Sequence, residues 1–463
     1  METKIAREHW GSRLGFVLAA AGSAVGLGNI WKFPYITGEN GGGIFVLIYL
    51  FCILLVGLPI LMAEIVVGRS SQKSPVGAFI ELAGEESNWK LIGFLGVLSG
   101  FVILSYYSVV AGWALNYTFM SLTNFFEGKT PDEIGAIFGE LYTAGGINIF
   151  WHAIFMVMVI SVVIAGVKKG IEKWNRILMP FLILIFIMLA VFSIFLDGWK
   201  EAVDFVFMPH ASKLKPSGVL EALGHAFFTL SLGMGAMLTY GSYLEQESDI
   251  PKSSLMIGGL DTFVALLACM VMFPIIFTYG HDPQAGPGLI FQTLPIIFGE
   301  IGGGGMFLSF IFFVLIVFAA LSSGVSLLEV VTSYLIDEKG WDRVKSTLVT
   351  GGIVFVFGLP SALSGSGALF PQWEHMYGKN FFDTFDYLAS NWMLPLGGLF
   401  IALYVGWVMD PATRKADIQR GTSWTQNWFY KGWVILLKYI APIAVMLIIL
   451  QRVGLIDIDA IIG

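Results

Sequence analysis

The chain has 463 residues, of which 56% are hydrophobic and 13% are charged. Because a soluble domain carries about 25% charged residues, this composition excludes a soluble globular protein and predicts an all-α, polytopic membrane protein. The formal net charge is −7 and no basic patch stands out, which argues against a nucleic-acid partner.

Eleven apolar runs follow one another along the chain, and each approaches or exceeds the roughly 20 residues that a bilayer crossing needs. The predicted transmembrane helices are residues 13–36, 42–68, 91–124, 147–166, 176–196, 219–243, 255–279, 304–336, 347–364, 382–408 and 429–451. No loop between them is long enough for a separate soluble domain. Residues 1–463 are therefore predicted to form a single transmembrane domain.

The start of the chain has two interpretations. Lys4, Arg7 and Arg13 accompany the run LGFVLAAAGSA, which resembles the basic and apolar regions of a signal peptide with a small-residue cleavage site. Glu2 and Glu8 interrupt the basic region. This interruption favours a first membrane span that stays in the protein.

The first predicted span contains the stretch GSAVGLGNIWKFP, residues 22–34. Its glycines, Gly22, Gly26 and Gly28, each cost a helix interior about 1 kcal/mol relative to alanine, and the polar Asn29 follows them. Gly22 and Gly26 also form the GxxxG pattern with which membrane helices pack closely. Close packing and a break in the helix are both open at this point.

The sixth predicted span has a similar interruption. Thr229, Ser231, Gly233 and Gly235 lie at the middle of GHAFFTLSLGMGAMLTYGSY. Spans one and six are five crossings apart, so two five-span halves would lie in opposite orientations. Broken helices at corresponding places of an inverted repeat indicate the binding site of a transporter, because the freed carbonyls can ligate a cation and half-helix N-termini suit a carboxylate.

Basic loops predict the orientation, because short cytoplasmic loops are enriched in Lys and Arg. With eleven spans, three such loops fall on the side of the N-terminus. Their basic residues are Lys168, Lys169, Lys173, Arg176, Lys339, Arg343, Lys345, Arg414, Lys415 and Arg420. We expect a multi-pass protein of the plasma (inner) membrane with a cytoplasmic N-terminus and an extracellular or periplasmic C-terminus.

The segments REHWGSRLGFVLAAAGSAVGLGNIWKFPY and ENGGGIF resemble the first two spans of the neurotransmitter:sodium symporters, and AFFTLSLGMGAMLTYGSY resembles their sixth span. The resemblance covers spans one to ten. It implies a LeuT-type 5+5 inverted repeat, residues 1–196 and 219–408, with helices 1 and 6 unwound at mid-membrane and an extra helix at 429–451. The implied activity is sodium-coupled uptake of a hydrophobic or aromatic L-amino acid by alternating access, in contact with membrane lipid and in an oligomeric state that is not predicted.

Two sodium sites are implied by the resemblance, both built from oxygen donors, as a hard cation requires. The first comprises the Ala24 carbonyl, the Asn29 side chain, the Thr229 carbonyl and hydroxyl, and Asp261. The second comprises the carbonyls of Gly22, Val25 and Ala319 and the hydroxyls of Ser322 and Ser323. Two alternatives stay open: Asn29 makes an interhelical hydrogen bond, and the serines bond to carbonyls of their own helix.

Asp261 is the most informative single charge. An ionised side chain within a span costs roughly 2.5–3.5 kcal/mol or more. The family that the chain resembles usually has an amide here, and its chloride-dependent members have a hydroxyl one turn later, where this chain has Ala265. A fixed carboxylate would supply the negative charge that chloride supplies elsewhere, so we expect no chloride requirement.

The resemblance also implies the substrate-binding residues. The substrate carboxylate would meet the first sodium, the amides of Leu27 and Gly28 and the Tyr107 hydroxyl, and the amine would meet the carbonyls of Ala24, Phe228 and Thr229. The side-chain pocket would be lined by Ile103, Val110, Phe228, Met234 and Leu327, with Ser231 and Ser323 at its edge. Gly26 stands where monoamine carriers have an aspartate, which favours an amino acid. Ordinary helix packing is the alternative for the apolar residues and for Tyr106.

An outer gate is implied at Lys32 and Asp386, above Phe228 and Tyr107. The family normally has arginine in place of Lys32, and lysine does not form a bidentate pair with a carboxylate. The gate is therefore expected to be weaker or water-mediated. His225 replaces a usual glutamine beside it and is either a neutral, hydrogen-bonded side chain or part of a pH-sensitive gate.

An inner gate is implied at Arg7 and Asp337, helped by Trp10, Ser242, Tyr243 and Glu329. Glu64 is expected to contact the cytoplasmic half of span one. Gly170 and Pro180 have the spacing that, in this family, lets the start of span five unwind and admit water to the inner sodium. A loop-ending glycine and an early-helix proline are the alternative.

Other classes of function can be compared with this prediction. An enzyme would need clustered nucleophiles or metal ligands, and the six histidines and two cysteines form no such pattern. A sodium-dependent amino acid sensor on the same fold would need the same ligands as a carrier. The sensor therefore stays open as the alternative.

Overall fold

The computed structural model describes residues 7–209, 214–281, 286–424 and 426–456. Within these ranges the chain is helical, and its β-pairing is limited to an isolated bridge between Gly42 and Pro209. The helices up to the middle of the chain are α1 (Arg13–Ala24), α2 (Phe33–Glu39), α3 (Gly43–Cys52), α4 (Leu58–Ser71), α5 (Pro75–Ala83), α6 (Lys90–Ser121), α7 (Pro131–Thr143), α8 (Gly145–Ile164), α9 (Lys173–Ser193) and α10 (Trp199–Phe207).

The remaining helices begin after the residues around 210. They are α11 (Pro216–Thr229), α12 (Ala236–Gly241), α13 (Ile250–Thr278), α14 (Thr293–Glu300), α15 (Gly305–Lys339), α16 (Arg343–Ala362), α17 (Trp373–Tyr377), α18 (Phe381–Leu388), α19 (Leu394–Leu403), α20 (Pro411–Gln419), α21 (Asn427–Ile435) and α22 (Ala441–Arg452). Short π-helical turns join several of them, including Gly28–Lys32 before α2 and Val167–Glu172 before α9.

Nine continuous helices in the described ranges are long and apolar enough to cross a membrane, and the pair Arg13–Ala24 and Gly28–Glu39, bent by 51°, makes ten if it is one span. The nine are Gly43–Ser71, Lys90–Ser121, Gly145–Ile164, Val167–Ser193, Ile250–Thr278, Gly302–Lys339, Arg343–Ser366, Phe381–Val408 and Asn427–Arg452. An all-helical protein with multiple candidate membrane spans is thus confirmed. The sixth predicted span corresponds to α11 and α12, which are separated by residues 230–235, so the count of eleven stays a prediction.

The start of the fifth span is the largest difference from the predicted boundaries. It was expected at residue 176, whereas the helix begins at Val167. Lys168, Lys169 and Lys173 led to the expectation of a loop, but lysine is a good helix former. All three side chains are exposed at the start of this helix, which allows their charged heads to stay hydrated.

The break after α1 has a local cause. Val25 is extended (φ −70°, ψ 103°), and Gly26 N donates to Asn29 Oδ1 at 3.0 Å rather than to a carbonyl one turn back. Helical bonding resumes at Asn29 and Ile30, whose amides both donate to the Gly26 carbonyl. The polar Asn29 therefore replaces a backbone acceptor at the point where the helix is interrupted.

The break between α11 and α12 depends on glycine. Ser231, Gly233 and Gly235 all have positive φ, at 54°, 77° and 75°. A Cβ on Gly233 would lie 2.2 Å from the Leu394 carbonyl oxygen, so no other residue fits there without a shift of the backbone. Glycine adopts left-handed backbone angles without strain, so Gly233 and Gly235 allow the chain to turn between the end of α11 and the start of α12.

The two breaks lie inside the helical bundle. α1 packs against α9, α13 and α15, and α6 and α15 form the most extensive helix pair among the described helices. α12 packs against α4, and α11 against α3. The interrupted segments are consequently surrounded by continuous helices, which supply the side chains of the sites described next.

Candidate functional site

A carboxylate at the centre of the bundle collects three polar side chains. Asn29 Nδ2 donates to Asp261 Oδ1 at 2.7 Å, and Thr229 Oγ1 donates to the same oxygen at 2.9 Å. Tyr49 donates its hydroxyl to Asp261 Oδ2 at 3.1 Å. All four side chains are buried, Asp261 with 0% exposure. The α1 break, the end of α11 and the middle of α13 thus meet at one charged group.

Asp261 has no basic side chain within 4.0 Å in the described part of the chain. A buried carboxylate without a counter-charge is costly. Thr229 and Tyr49 contribute hydroxyl oxygens, which suit a hard cation, whereas Asn29 directs its Nδ2 to Asp261 and its Oδ1 accepts from the Gly26 amide. Asn29 makes the interhelical hydrogen bond that was the alternative to cation binding, but its partner in that bond is Asp261, which is itself a predicted cation ligand. Tyr49 was not predicted, because a tyrosine in an apolar run ordinarily indicates packing.

The second group of predicted cation ligands lies where α15 approaches the end of α1. Ser323 donates to the Ser23 carbonyl at 3.1 Å and lies 3.4 Å from the Gly22 carbonyl oxygen. Ser322 instead donates to the Ala319 carbonyl of its own helix at 2.9 Å, as the alternative described. Ala319 and Val25 are buried beside them.

A cavity with about 340 Å³ of empty space lies between the two breaks. Ten of the twelve residues predicted for the substrate line it, namely Ala24, Leu27, Gly28, Ile103, Tyr107, Phe228, Ser231, Met234, Ser323 and Leu327. Val110 and Thr229 do not line it; the Thr229 hydroxyl instead donates to Asp261, and Val110 is packed elsewhere on α6. The remaining lining residues are Ser23, Gly26 and Ser326.

Polar groups in this cavity belong mainly to backbone and hydroxyls. Ser231 donates to the Ser23 carbonyl at 2.9 Å, which joins the two breaks directly. The Tyr107 hydroxyl is buried and has no hydrogen-bond partner among the described residues. A Cβ on Gly26 would lie 2.6 Å from Ser323 Oγ and 3.2 Å from the Tyr107 hydroxyl. Any side chain at Gly26 would therefore fill the polar side of the cavity.

A wider cavity of about 690 Å³ lies next to the first. Leu27, Gly28, Tyr107 and Phe228 line both cavities and separate them. The rest of its wall is formed by Trp31, Lys32, Tyr35, Tyr106, Phe382, Asp383 and Asp386. The second cavity is a vestibule on the Asp386 side of the barrier formed by Tyr107 and Phe228.

The expected pair of Lys32 and Asp386 is not formed. Both line the vestibule, but no ion pair joins these two described residues within 4.0 Å. Lys32 Nζ lies 5.2 Å from the centre of the Phe228 ring, and Asp386 accepts hydrogen bonds from Tyr106 and Ser390, each at 3.1 Å. Tyr106 is therefore more than a packing aromatic. The Lys32 ammonium lies over the Phe228 ring and does not reach the Asp386 carboxylate.

His225 is buried and its ring is stacked on Phe33 at 5.5 Å, with Tyr49 at 5.6 Å. Neither of its ring nitrogens has a hydrogen-bond partner among the described residues. The hydrogen-bonded alternative is therefore wrong in this structure. The pH-sensitive gate stays a proposal.

The Arg7 end of the molecule, defined by the contact of Arg7 with Asp337, is closed by a network of ion pairs. Arg7 Nη1 donates to both carboxylate oxygens of Asp337, at 2.6 and 2.5 Å, and Nη2 donates to Ser242. Asp337 also accepts from the amide of Ser74 at 2.6 Å. The Arg7 guanidinium lies 4.5 Å from the Tyr243 ring centre.

Two neighbouring contacts extend this closure. Trp10 donates to the Tyr240 carbonyl at 2.9 Å. Tyr243 donates to Glu329 at 2.5 Å, and Arg343, which was not predicted as part of the gate, donates to Glu329 at 2.8 Å. The predicted helpers thus lie in one cluster with α15 and α16.

Glu64 has a partner that the sequence does not predict. Its Oε1 accepts the Gly233 amide at 2.7 Å, in the break between α11 and α12. A contact of Glu64 with the cytoplasmic half of span one stays a prediction. An acid in α4 can be assigned to a side of the membrane from sequence, but not to one of two neighbouring helices.

The segment around Gly170 is helical. Gly170 lies in the π-helical turn Val167–Glu172, and a Cβ on it would lie 2.1 Å from the Val162 carbonyl oxygen. Pro180 lies within α9 and not in its first turn. The alternative of a loop-ending glycine and an early-helix proline is wrong, and the predicted unwinding stays a proposal.

Known proteins similar to this chain match it along nearly its whole length. The family model described as the sodium:neurotransmitter symporter family matches residues 7–133 and 124–458. An uncharacterized sodium-dependent transporter of Bacillus subtilis, YhdH, is 38% identical over 449 residues, 97% of this chain and 98% of the relative. Another uncharacterized sodium-dependent transporter, from Haemophilus influenzae, is 32% identical and covers 96% of this chain and 98% of its own. The crystal structure of MhsT in complex with L-phenylalanine is 45% identical, with a TM-score of 0.87 over 96% of this chain and all of that chain.

Proposed function

The chain belongs to the sodium:neurotransmitter symporter family, and on that premise we propose that it takes up hydrophobic or aromatic L-amino acids coupled to the inward movement of two sodium ions. The family is one of sodium-dependent transporters. Three parts of the proposal go beyond membership of the family: the substrate class, the number of sodium ions and the independence from chloride.

The observation that carries the proposal is the unpaired charge of Asp261. A monovalent cation among Asp261, the Asn29 oxygen and the Thr229 hydroxyl would neutralise a buried carboxylate that has no protein counter-charge. The Ala24 carbonyl would complete this site. Because the negative charge is built into the protein, a chloride ion is not needed for neutrality.

A second sodium would lie between the ends of α1 and α15. Its ligands would be the carbonyls of Gly22, Val25 and Ala319 with the Ser322 and Ser323 hydroxyls. Ser323 already bridges the two helices. The Ser322 hydroxyl can accept the ion through its lone pairs while it donates to Ala319.

The substrate would occupy the cavity between the breaks. The Tyr107 hydroxyl and the amides of Leu27 and Gly28 offer donors for a carboxylate, whereas no acid side chain lines the cavity to meet an amine. Ile103, Phe228, Met234 and Leu327 supply an apolar wall, and methionine adapts to differently shaped side chains. The relative MhsT binds L-phenylalanine, which supports a large apolar or aromatic side chain.

We infer that the structure has its inner side closed and its vestibule connected to the outer side. The ion pair of Arg7 and Asp337 closes one end, while Lys32 and Asp386 remain apart at the other. Alternating access would require the opposite arrangement in the inward-facing state, with the segment around Gly170 opened. The eleven-span count, the two halves 1–196 and 219–408, the broken helices and the membrane orientation belong to the same proposal.

The orientation is supported by where the basic segments meet. Glu8 accepts hydrogen bonds from Arg343 at 2.8 Å and from the Val167 amide at 2.6 Å. The N-terminal segment, the start of α9 and the start of α16 therefore share one end of the bundle. A common cytoplasmic location for them satisfies the preference of Lys and Arg for that side.

The direct test is ligand binding by the purified protein. Thermal stability would be measured with each of the common L-amino acids, in sodium and in choline media, and again with gluconate in place of chloride. We expect stabilisation by leucine, phenylalanine, tryptophan or tyrosine only in sodium, and equal stabilisation in chloride and gluconate. Silence for every amino acid would contradict the substrate class, and a steep chloride requirement would contradict the role of Asp261.

A sensor that binds without transport would give the same binding result. No specific contact favours it over a carrier. Tracer uptake into vesicles distinguishes the two, because a sensor binds the amino acid without accumulating it.

A further inference from the structure

Asn175 on α9 has a buried oxygen with no hydrogen-bond donor. The residue is 1% exposed, and its Nδ2 donates to the Ile171 carbonyl at 2.9 Å. This bond orients the amide and leaves Oδ1 without a partner among the described residues. A buried carbonyl oxygen without a donor is costly, so an apolar residue would be more stable here unless the oxygen has a ligand.

The oxygen lies against the backbone of α1 at Gly22. A Cβ built on Gly22 would be 2.2 Å from Asn175 Oδ1 and 3.2 Å from Ser322 Cβ. Gly22 is small enough to let α9 and α15 approach it together. Asn175 Oδ1 therefore faces α1 at Gly22, on the side where Ser322 also approaches, and both Gly22 and Ser322 belong to the proposed second sodium site.

The same region has carbonyls that the helix does not use. Gly26 N donates to Asn29 Oδ1 and not to Gly22, and the one side chain found near the Gly22 oxygen within the described chain is Ser323, at 3.4 Å. Gly22 and Asn175, which face each other across α1 and α9, thus each have an oxygen that is weakly satisfied or unsatisfied. Oxygens of this kind are available to a hard cation.

We propose that Asn175 supplies an additional oxygen ligand for the second cation, either directly or through one bound water. This inference rests on the proposed sodium-coupled function and adds a third helix to a site otherwise built from α1 and α15. Sodium accepts amide oxygens as ligands, and an uncharged oxygen adds affinity without adding a second carboxylate to the membrane interior.

Asn175 also connects that site to the π-helical turn before α9. Its amino group holds the carbonyl of Ile171, which lies in the turn Val167–Glu172 together with Gly170. Loss of the cation would leave the amide oxygen unsatisfied, and opening of the turn would release the amide nitrogen. Cation binding and the conformation of the turn are therefore thermodynamically linked through one side chain.

The test is a sodium titration of the purified full-length protein, without amino acid, followed by thermal unfolding with choline as the replacement cation. Asn175→Leu removes the oxygen at similar size, and the half-maximal sodium concentration is expected to rise roughly tenfold, the equivalent of one lost ligand interaction. Asn175→Asp keeps the oxygen and adds charge, so sodium is expected to act at concentrations no higher than in the wild type.

The control is Ser193→Ala, another buried polar residue of α9, whose hydroxyl bonds to the Leu189 carbonyl of its own helix. It is expected to lower stability without changing the sodium titration. An unchanged titration in Asn175→Leu, or equal weakening in Asn175→Leu and Asn175→Asp, overturns the inference. If Asn175→Leu does not fold, Asn175→Asp against Asn175→Ala gives the same comparison. A wild-type protein that sodium does not stabilise would instead contradict the proposed function.

Discussion

The residues proposed to bind sodium are polar groups that lie together at the breaks in two helices. Asp261 can be expected to be functional from sequence because a charge within an apolar run is expensive. Asn29 and Thr229 stand out for the same reason. Tyr49 and Asn175 cannot be identified in this way, since a tyrosine is typical of packing and Asn175 follows a lysine-rich segment that reads as a loop. Only the three-dimensional contacts show that Tyr49 donates to Asp261 and that Asn175 faces Gly22.

Asp261→Asn is the sharpest test of a single charge. The variant keeps hydrogen bonding but removes the negative charge, so the half-maximal sodium concentration for amino acid binding is expected to rise about tenfold or more. Chloride is expected to restore part of the binding. Asp249→Asn is the matched control on the same helix, because asparagine caps α13 about as well as aspartate. Sodium binding that is unaltered in Asp261→Asn would refute the assignment.

Gly26→Ala tests the cavity wall. The added methyl would lie 2.6 Å from Ser323 Oγ and 3.2 Å from the Tyr107 hydroxyl, where the substrate's polar end is proposed to bind. We expect amino acid affinity to fall by about tenfold, the effect of one lost polar contact. Gly224→Ala on α11 is the control, since a Cβ there meets nothing within 4 Å. Equal binding by the two variants would place the substrate elsewhere.

At the scale of helices, the spans themselves are largely predictable because long apolar runs have few alternatives in a membrane. The positions of the interruptions can be predicted, but the residues of other helices that contact them cannot. Glycines and polar residues mark where α1 and α11 end, whereas the acceptor of the Gly233 amide, Glu64 on α4, is not identified by the sequence. Contacts between helices depend on rotation about each axis, which hydropathy alone does not encode.

Glu64 is therefore expected to stabilise the break. Glu64→Ala leaves the buried Gly233 amide without its acceptor, and a loss of about 1–3 kcal/mol of unfolding free energy is expected. Glu64→Gln keeps a carbonyl acceptor and should lose less. Thermal unfolding of the two variants in one detergent provides the comparison. The role is refuted if both variants unfold at the same temperature as the wild type.

For the molecule as a whole, the contact of Arg7 with Asp337 and the separation of Lys32 from Asp386 correspond to one state of the proposed alternating-access cycle. The pair of Arg7 and Asp337 is largely buried, with side chains 16% and 10% exposed, and it joins the N-terminal segment to the end of α15, so it would favour the closed conformation. Which end is closed cannot be inferred from sequence, because the same residues serve both states.

Arg7→Ala is expected to shift the protein toward an inward-open form. In a background without Cys52 and Cys269, a cysteine at Thr239, which is buried on α12, should react severalfold faster with a water-soluble thiol reagent when Arg7 is replaced. Lys345→Ala is the control, since Lys345 stacks on Trp341 outside the gate. Identical reactivity in the Arg7 variant and the control would contradict a gating role.

Uptake into proteoliposomes tests sodium-coupled transport most directly. Labelled L-phenylalanine would be supplied outside vesicles that have an inward sodium gradient, with choline and a sodium ionophore as controls. Sodium-coupled symport predicts that the internal concentration transiently exceeds the external one and that this excess disappears when the gradient is dissipated. Sodium-dependent binding without accumulation, for phenylalanine and likewise for leucine, tryptophan and tyrosine, would contradict it.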